Sequence, residues 1–140
     1  MTPPEAPVQG QNGRGTDMPP AVSVRLEVIK RRSDFLKAAR AQRRGMPGFL
    51  LQARRRASDE PDPSAIRVGF TCSRKVGNAV TRNRAKRRLR ALAREILPQL
   101  GRPGWDYVLV GRPGATVTRD FAAMREDLIR ALRRIHESPQ

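Results

Sequence analysis

Residues 74–94 hold nine basic side chains and no acid. Within them the apolar positions are spaced for a helix: Ala85, Leu89, Leu92 and, just beyond, Ile96 fall on one stripe. Asn83, Arg87, Arg90 and Arg94 fall on the opposite stripe. Such a segment needs a core on one side and an anion on the other. Like charges one turn apart destabilise an isolated helix by a few tenths of a kcal/mol each, and a polyanion removes that cost. The stripe from Asn83 to Arg94 spans about 16 Å at 1.5 Å rise per residue. Gly77-Asn78 precedes it and reads either as a helix-start anion cradle or as a turn needing positive φ.

The rest of the chain agrees with that demand. It has 140 residues, a net charge of +16 and a sequence pI near 11.8. The charge is arginine-borne, 25 Arg against 4 Lys, and Arg offers a flat fork of donors that suits phosphate and stacks on bases. Arg14 against Glu5 and Asp17 leaves the first 22 residues at −1, so the remainder carries +17. A clustered basic surplus of this size is the footprint of a nucleic-acid binder. No run approaches the roughly 18 apolar residues of a membrane span. Cys72 is the single cysteine, so no internal disulfide forms. With no secretory signal in view, the expected location is the cytoplasm.

Pro and Gly fill the first 22 residues, which read as a disordered tail. Residues 23–140 read as one domain. A helix is expected over 33–43, capped by Ser33, with strands over 49–54 and 66–73 joined by a polar loop. A long basic helix over 79–97 should stop at Pro98. A third strand follows over 106–111, and a last helix over 119–137 capped by Thr118. The order α-β-β-α-β-α suggests an α+β two-layer sandwich. The first two of these strands are expected to pair as an antiparallel hairpin, and the second and third to be joined by a parallel crossover.

A catalytic centre within the chain is not evident. His136 is the single histidine and reads as surface decoration; Cys72 reads as core. Asp59, Glu60 and Asp62 lie in a loop without a histidine partner, and no spacing suits zinc.

Three blocks closely resemble the protein subunit of bacterial ribonuclease P. They are Arg67-Val68-Gly69-Phe70-Thr71, the run from Ser73 through Arg74, Lys75, Val76, Gly77, Asn78 and Ala79 to Val80, and Arg82-Asn83-Arg84-Ala85-Lys86-Arg87-Arg88-Leu89-Arg90. Ser33-Asp34-Phe35 and Trp105-Asp106-Tyr107-Val108 also fit, and the likeness runs from about residue 26 to 135. The resemblance implies an endonucleolytic holoenzyme that removes the 5′ leader of precursor tRNA. Its RNA subunit carries the active site and requires Mg²⁺. The protein partners are then the catalytic RNA and the leader, with no membrane and no further protein. It implies RNA contacts from Arg74, Lys75, Arg82, Asn83, Arg84, Lys86, Arg87, Arg90 and Arg94. It also implies a leader cleft between the first helix and the sheet, lined by Phe35, Arg54, Arg67, Arg82 and Asn83. Two family aromatics of that cleft fall on Ala39 and Gln52 here. Base stacking, about 1–3 kcal/mol per base, should weaken, with Arg54, Arg67 and Arg82 compensating through phosphates. Phe35 itself reads equally as a core residue. The family's βαβ crossover is left-handed, a hand the residues alone would not suggest, since about 98% are right-handed. A structural ribosomal protein and a DNA-groove reader share the charge and size, and stay open on composition alone.

Overall fold

The strand at Trp105–Gly111 (β5) buries its first five residues whichever face they point to. A strand covered on both faces belongs in the middle of a sheet. The computed structural model, which describes residues 25–60 and 63–137, places β5 at the centre of a five-stranded sheet. Strand β3 (Phe49–Arg55) runs antiparallel along one side of it, and β4 (Ile66–Thr71) parallel along the other. Two short strands close the edges, β1 (Leu26–Val28) beside β4 and β2 (Gln42–Gly45) beside β3.

This corrects the expected hairpin: β3 and β4 are separated by β5 and do not pair. The loop between them is too long to act as a tight turn, and β5 offers each a better apolar neighbour. The parallel crossover is present, because β4 and β5 are adjacent and joined through helix α2 (Ala79–Leu100). The class is α+β, with helices α1 (Arg32–Arg40), α2, the single turn α3 (Ala115–Thr118) and α4 (Phe121–Glu137). The tail expected over residues 1–22 lies outside the described residues.

Period-two alternation divides the strands between two cores. Phe49, Leu51, Ile66, Val68, Tyr107 and Leu109 face α2 and α4, which supply Leu89, Leu92, Met124, Leu128 and Leu132. The other face carries only α1, where Ile29, Ala38 and Val108 form a small cluster with Phe35 and Val110 against it. Much of that second face is therefore left for polar residues.

Three helix ends differ from expectation for local reasons. Helix α1 starts at Arg32 without a side-chain cap and stops at Arg40, because residues 42–45 pair with β3 as an edge strand. Pro98 sits inside α2, whose last turn continues to Leu100 with the Gly101 amide donating to the Leu97 carbonyl at 2.8 Å. In a final turn the missing proline N–H costs one bond and leaves the following ones intact. Thr118 belongs to α3 and donates to the Gly114 carbonyl, whereas the Asp120 carboxylate accepts from Ala123 N–H at the start of α4.

Candidate nucleic-acid interface

The basic face begins on the 3-10 turn that leaves β4, where Arg74 and Lys75 are exposed. Gly77 then turns the chain at φ 149°; a Cβ there would come within 2.8 Å of the Thr81 side chain. Asn78 caps α2 by accepting from the Thr81 amide at 2.9 Å. The turn reading of Gly77-Asn78 thus accounts for both residues. Downstream, Ala85, Leu89, Leu92 and Ile96 are buried, as their spacing requires, while Asn83, Arg84, Arg87 and Arg94 are exposed. Arg82, Lys86 and Arg90 are half-buried along the flanks.

Among the described residues, none of Arg74, Lys75, Arg82, Arg84, Lys86, Arg87, Arg90 and Arg94 makes an ion pair within the protein. Arg90 lies over the Phe70 ring, 5.6 Å from its centroid. Arg88 is different in kind. Its guanidinium donates to the carbonyls of Thr116 and Arg119, both at 2.7 Å, and lies over Phe121. It ties α2 to the α3–α4 junction. Arg125 pairs with Glu95, the first acid after the basic run, at 2.7 Å. The remaining basic side chains form one uncompensated stripe.

On the α1 face, the register places Arg54 and Arg67 on either side of Asp106 across three adjacent strands. Asp106 is fully buried. Its carboxylate accepts two 2.7 Å bonds from Arg67, one of 3.2 Å from Arg54 and one of 2.6 Å from Arg56. Arg54 also donates to Glu60, and Arg67 lies 3.4 Å from Asp34. Arg56 is buried and donates to the Trp105 and Ala65 carbonyls. The Arg54 guanidinium and the Ala57 N–H hold the Glu60 carboxyl down at about 2. Three guanidiniums thus meet three carboxylates. Arg54 and Arg67, expected to grip leader phosphates, direct their donors into this network.

Phe35 is half-buried, and its ring lies flat on Gly69. A Cβ at position 69 would come within 2.4 Å of the ring. It therefore packs with the small cluster and also forms a wall of the open face. Gln52 is buried on that same face, in register with Val108, and Ala39 is half-buried. The Cys72 thiol is pushed up by burial, an effect that Lys86 and Arg82 oppose. Those two cations therefore lie near the end of β4.

His136 is not surface decoration. The Tyr107 hydroxyl accepts the Arg102 N–H at 2.9 Å, and so donates its own proton to His136 Nε2, 2.7 Å away. The imidazole packs edge-on against Trp105 at 4.6 Å. Burial pushes its pKa down to about 4, so it is a neutral acceptor that anchors the end of α4. The signal for Asp106 was legible in principle: a lone acid inside an otherwise apolar central strand needs buried cations. Glu60 joins its network, and Asp62 lies outside the described residues.

A sequence model described as Ribonuclease P matches residues 24–136. The chain is 60% identical over 123 residues to a ribonuclease P protein component of Ruegeria pomeroyi, covering 85% of this chain and 97% of that one. It is 44% identical over 110 residues to that of Caulobacter vibrioides, covering 79% and 71%. The solved ribonuclease P protein of Thermotoga maritima superposes with a TM-score of 0.62 at 26% identity, covering 77% of this chain and 96% of that one. The Staphylococcus aureus protein shares the fold, with a TM-score of 0.60 at 21% identity over 76% of this chain and 92% of that one. The chain with the acid-free arginine stripe on α2 belongs to the family of ribonuclease P protein components.

Proposed function

We propose that this protein binds a catalytic RNA through the α2 stripe and supports removal of the 5′ leader from precursor tRNA. The observation that carries the reading is the row of eight basic side chains on α2 and its preceding turn that make no ion pair among the described residues. They lie on a helix whose other side is locked into the core, so it presents a fixed face to a folded RNA and is poorly placed to enter a DNA groove. Family membership sets aside the structural ribosomal-protein reading. Arg74, Lys75, Arg82, Asn83, Arg84, Lys86, Arg87, Arg90 and Arg94 are the RNA contacts. Phe35 is the aromatic wall for the leader, with Arg82 and Asn83 at the start of α2. Arg54 and Arg67 act behind that wall by fixing the strands.

The role of the chain is binding and orientation. Asp34, Glu60 and Asp106 are tied to Arg54, Arg56 and Arg67, a donor set that does not fit a divalent cation. On this reading Mg²⁺ serves the RNA subunit, which does the chemistry, and the setting is the cytoplasm. No helix among the described residues is long and apolar enough to cross a membrane. The test is reconstitution: at low Mg²⁺ the cognate catalytic RNA should cleave leader only when this protein is added. A folded protein that gives no stimulation would refute the reading.

A further inference from the structure

The α2 stripe is not the only place where arginines gather without acids. Helix α2 packs over β4, β5 and β1, whereas α4 covers β3 and β2 at the far edge of the sheet. Between β2 and the C-terminal half of α4 runs an open groove of about 390 Å³, lined by Arg44, Gly45, Met46, Pro47, Arg130, Ala131 and Arg134. Arg112 reaches it from the loop after β5: a Cβ on Gly45 would come within 2.8 Å of Arg112 Nη2. Arg44 and Arg112 make no ion pair among the described residues. Arg130 contacts Asp127 at 3.0 Å, yet its side chain remains 64% exposed. Asp127 is itself buried and also bound by Arg119, so its charge is screened from the groove.

We infer that this groove is a second RNA-binding surface, which takes the phosphate backbone of an RNA helix distinct from the segment held by α2. The inference rests on the RNA-binding reading above. Three features select this occupant. The guanidiniums come from three separate elements and converge on a floor of Gly45 and Pro47, which lets a backbone approach closely. No carboxylate lines the groove. The apolar lining is limited to small or flexible side chains, too little to bury an apolar partner helix. Forked donors on an open, acid-free floor match phosphodiester oxygens. The two basic surfaces lie on different helices and opposite halves of the sheet, so a large folded RNA or an RNA pair would be clamped at two points.

The backbone could come from the catalytic RNA or from precursor tRNA, and two binding measurements separate these. Arg44→Ala/Arg112→Ala is compared with Arg84→Ala/Arg87→Ala on α2 and with the control Arg55→Ala/Arg133→Ala, which removes the same charge from other exposed sites. Each protein is titrated against catalytic RNA alone, and each assembled holoenzyme against precursor tRNA, over a range of salt. Two lost phosphate contacts should weaken binding roughly 10- to 30-fold near physiological salt and flatten the log–log salt slope by about 1.5–2. That change in the first titration assigns the groove to the catalytic RNA; in the second, to precursor tRNA. If the groove pair changes neither titration, or no more than the control pair does, the second surface is refuted. Failure of the α2 pair would instead refute the underlying RNA-binding assignment. Thermal melts of each variant identify any loss due to unfolding, and Arg44→Lys/Arg112→Lys, which keeps the charge, should recover most of the slope.

Discussion

Asp106→Asn is the sharpest test of how the sheet is held together. The substitution is nearly isosteric and removes one negative charge from a fully buried site where three guanidiniums converge. Arg56, with a side chain 1% exposed, cannot swing out to water, and Arg54 and Arg67 are only 13% and 14% exposed. Removing one partner of a buried charge cluster leaves the others uncompensated, a loss of about 3–5 kcal/mol. With a urea m value of about 1.5 kcal/mol/M for a domain of this size, the midpoint should fall by about 2–3 M. The assay is urea unfolding followed by circular dichroism and by Trp105 fluorescence. A double-mutant cycle with Arg56→Met isolates the coupling, because Arg56→Met should cost much less once Asp106 is Asn. A midpoint shift below 0.5 M, about 0.75 kcal/mol at that m value, or strict additivity in the cycle, would refute the claim that this network is buried and coupled.

Four further outcomes follow from the same geometry. Gly69→Ala should drive its methyl into the Phe35 ring and destabilise by about 1–3 kcal/mol; in calorimetry, adding Phe35→Ala should recover part of the loss, and a fully additive pair would count against the contact. Arg88→Ala should lower the melting temperature, through loss of its two carbonyl bonds, while leaving the RNA salt slope unchanged, whereas Arg84→Ala/Arg87→Ala should do the reverse. His136 has a folded-state pKa depressed to about 4 from 6.5. Its contribution to stability is therefore full above about pH 6.5 and declines as pH falls toward 4, and His136→Gln should remove that part of the slope in pH-dependent melts. Glu60, held at about 2 against 4.5, loses its contribution only in the lower window, from about pH 4.5 to 2, so Glu60→Gln should alter the acid limb alone.

What could be read ahead of the structure follows what is periodic. The buried stripe of α2 and the apolar rows of β3, β4 and β5 are set by side-chain spacing, and they stand where expected. The resemblance supplied the interface residues, and the stripe accounts for why they face outward. The edges were illegible. Leu26–Val28 and Gln42–Gly45 are three and four residues long and half polar, and they are strands only because β4 and β3 offer open edges. Strand order was misread for a related reason: alternation tells which face a residue takes, not which neighbour its strand chooses. The buried role of His136 was hidden because its partners Tyr107 and Trp105 are about 30 residues away in the chain, and nothing local marks the pair.

The division of the arginines changes how the leader cleft must work. Composition presents one undifferentiated surplus, and Arg54 and Arg67 count in it equally with Arg84 and Arg87. In the fold, Arg54, Arg56 and Arg67 are matched one for one by Asp34, Glu60 and Asp106. That part of the α1 face is therefore close to electrically neutral, and the positive field comes from its margins. A leader strand crossing this face would meet Phe35 and a neutral polar floor, and would meet charge only near Arg82 and Lys86 at the end of β4. Replacing Arg67 should consequently impair leader binding by loosening the strands, with little change in salt slope. Replacing Arg82 should weaken binding at unchanged stability and reduce the slope by about one. If Arg67→Ala instead lowers the slope as much as Arg82→Ala while the melting temperature holds, the guanidinium is reaching phosphate directly and the neutral-floor argument is wrong.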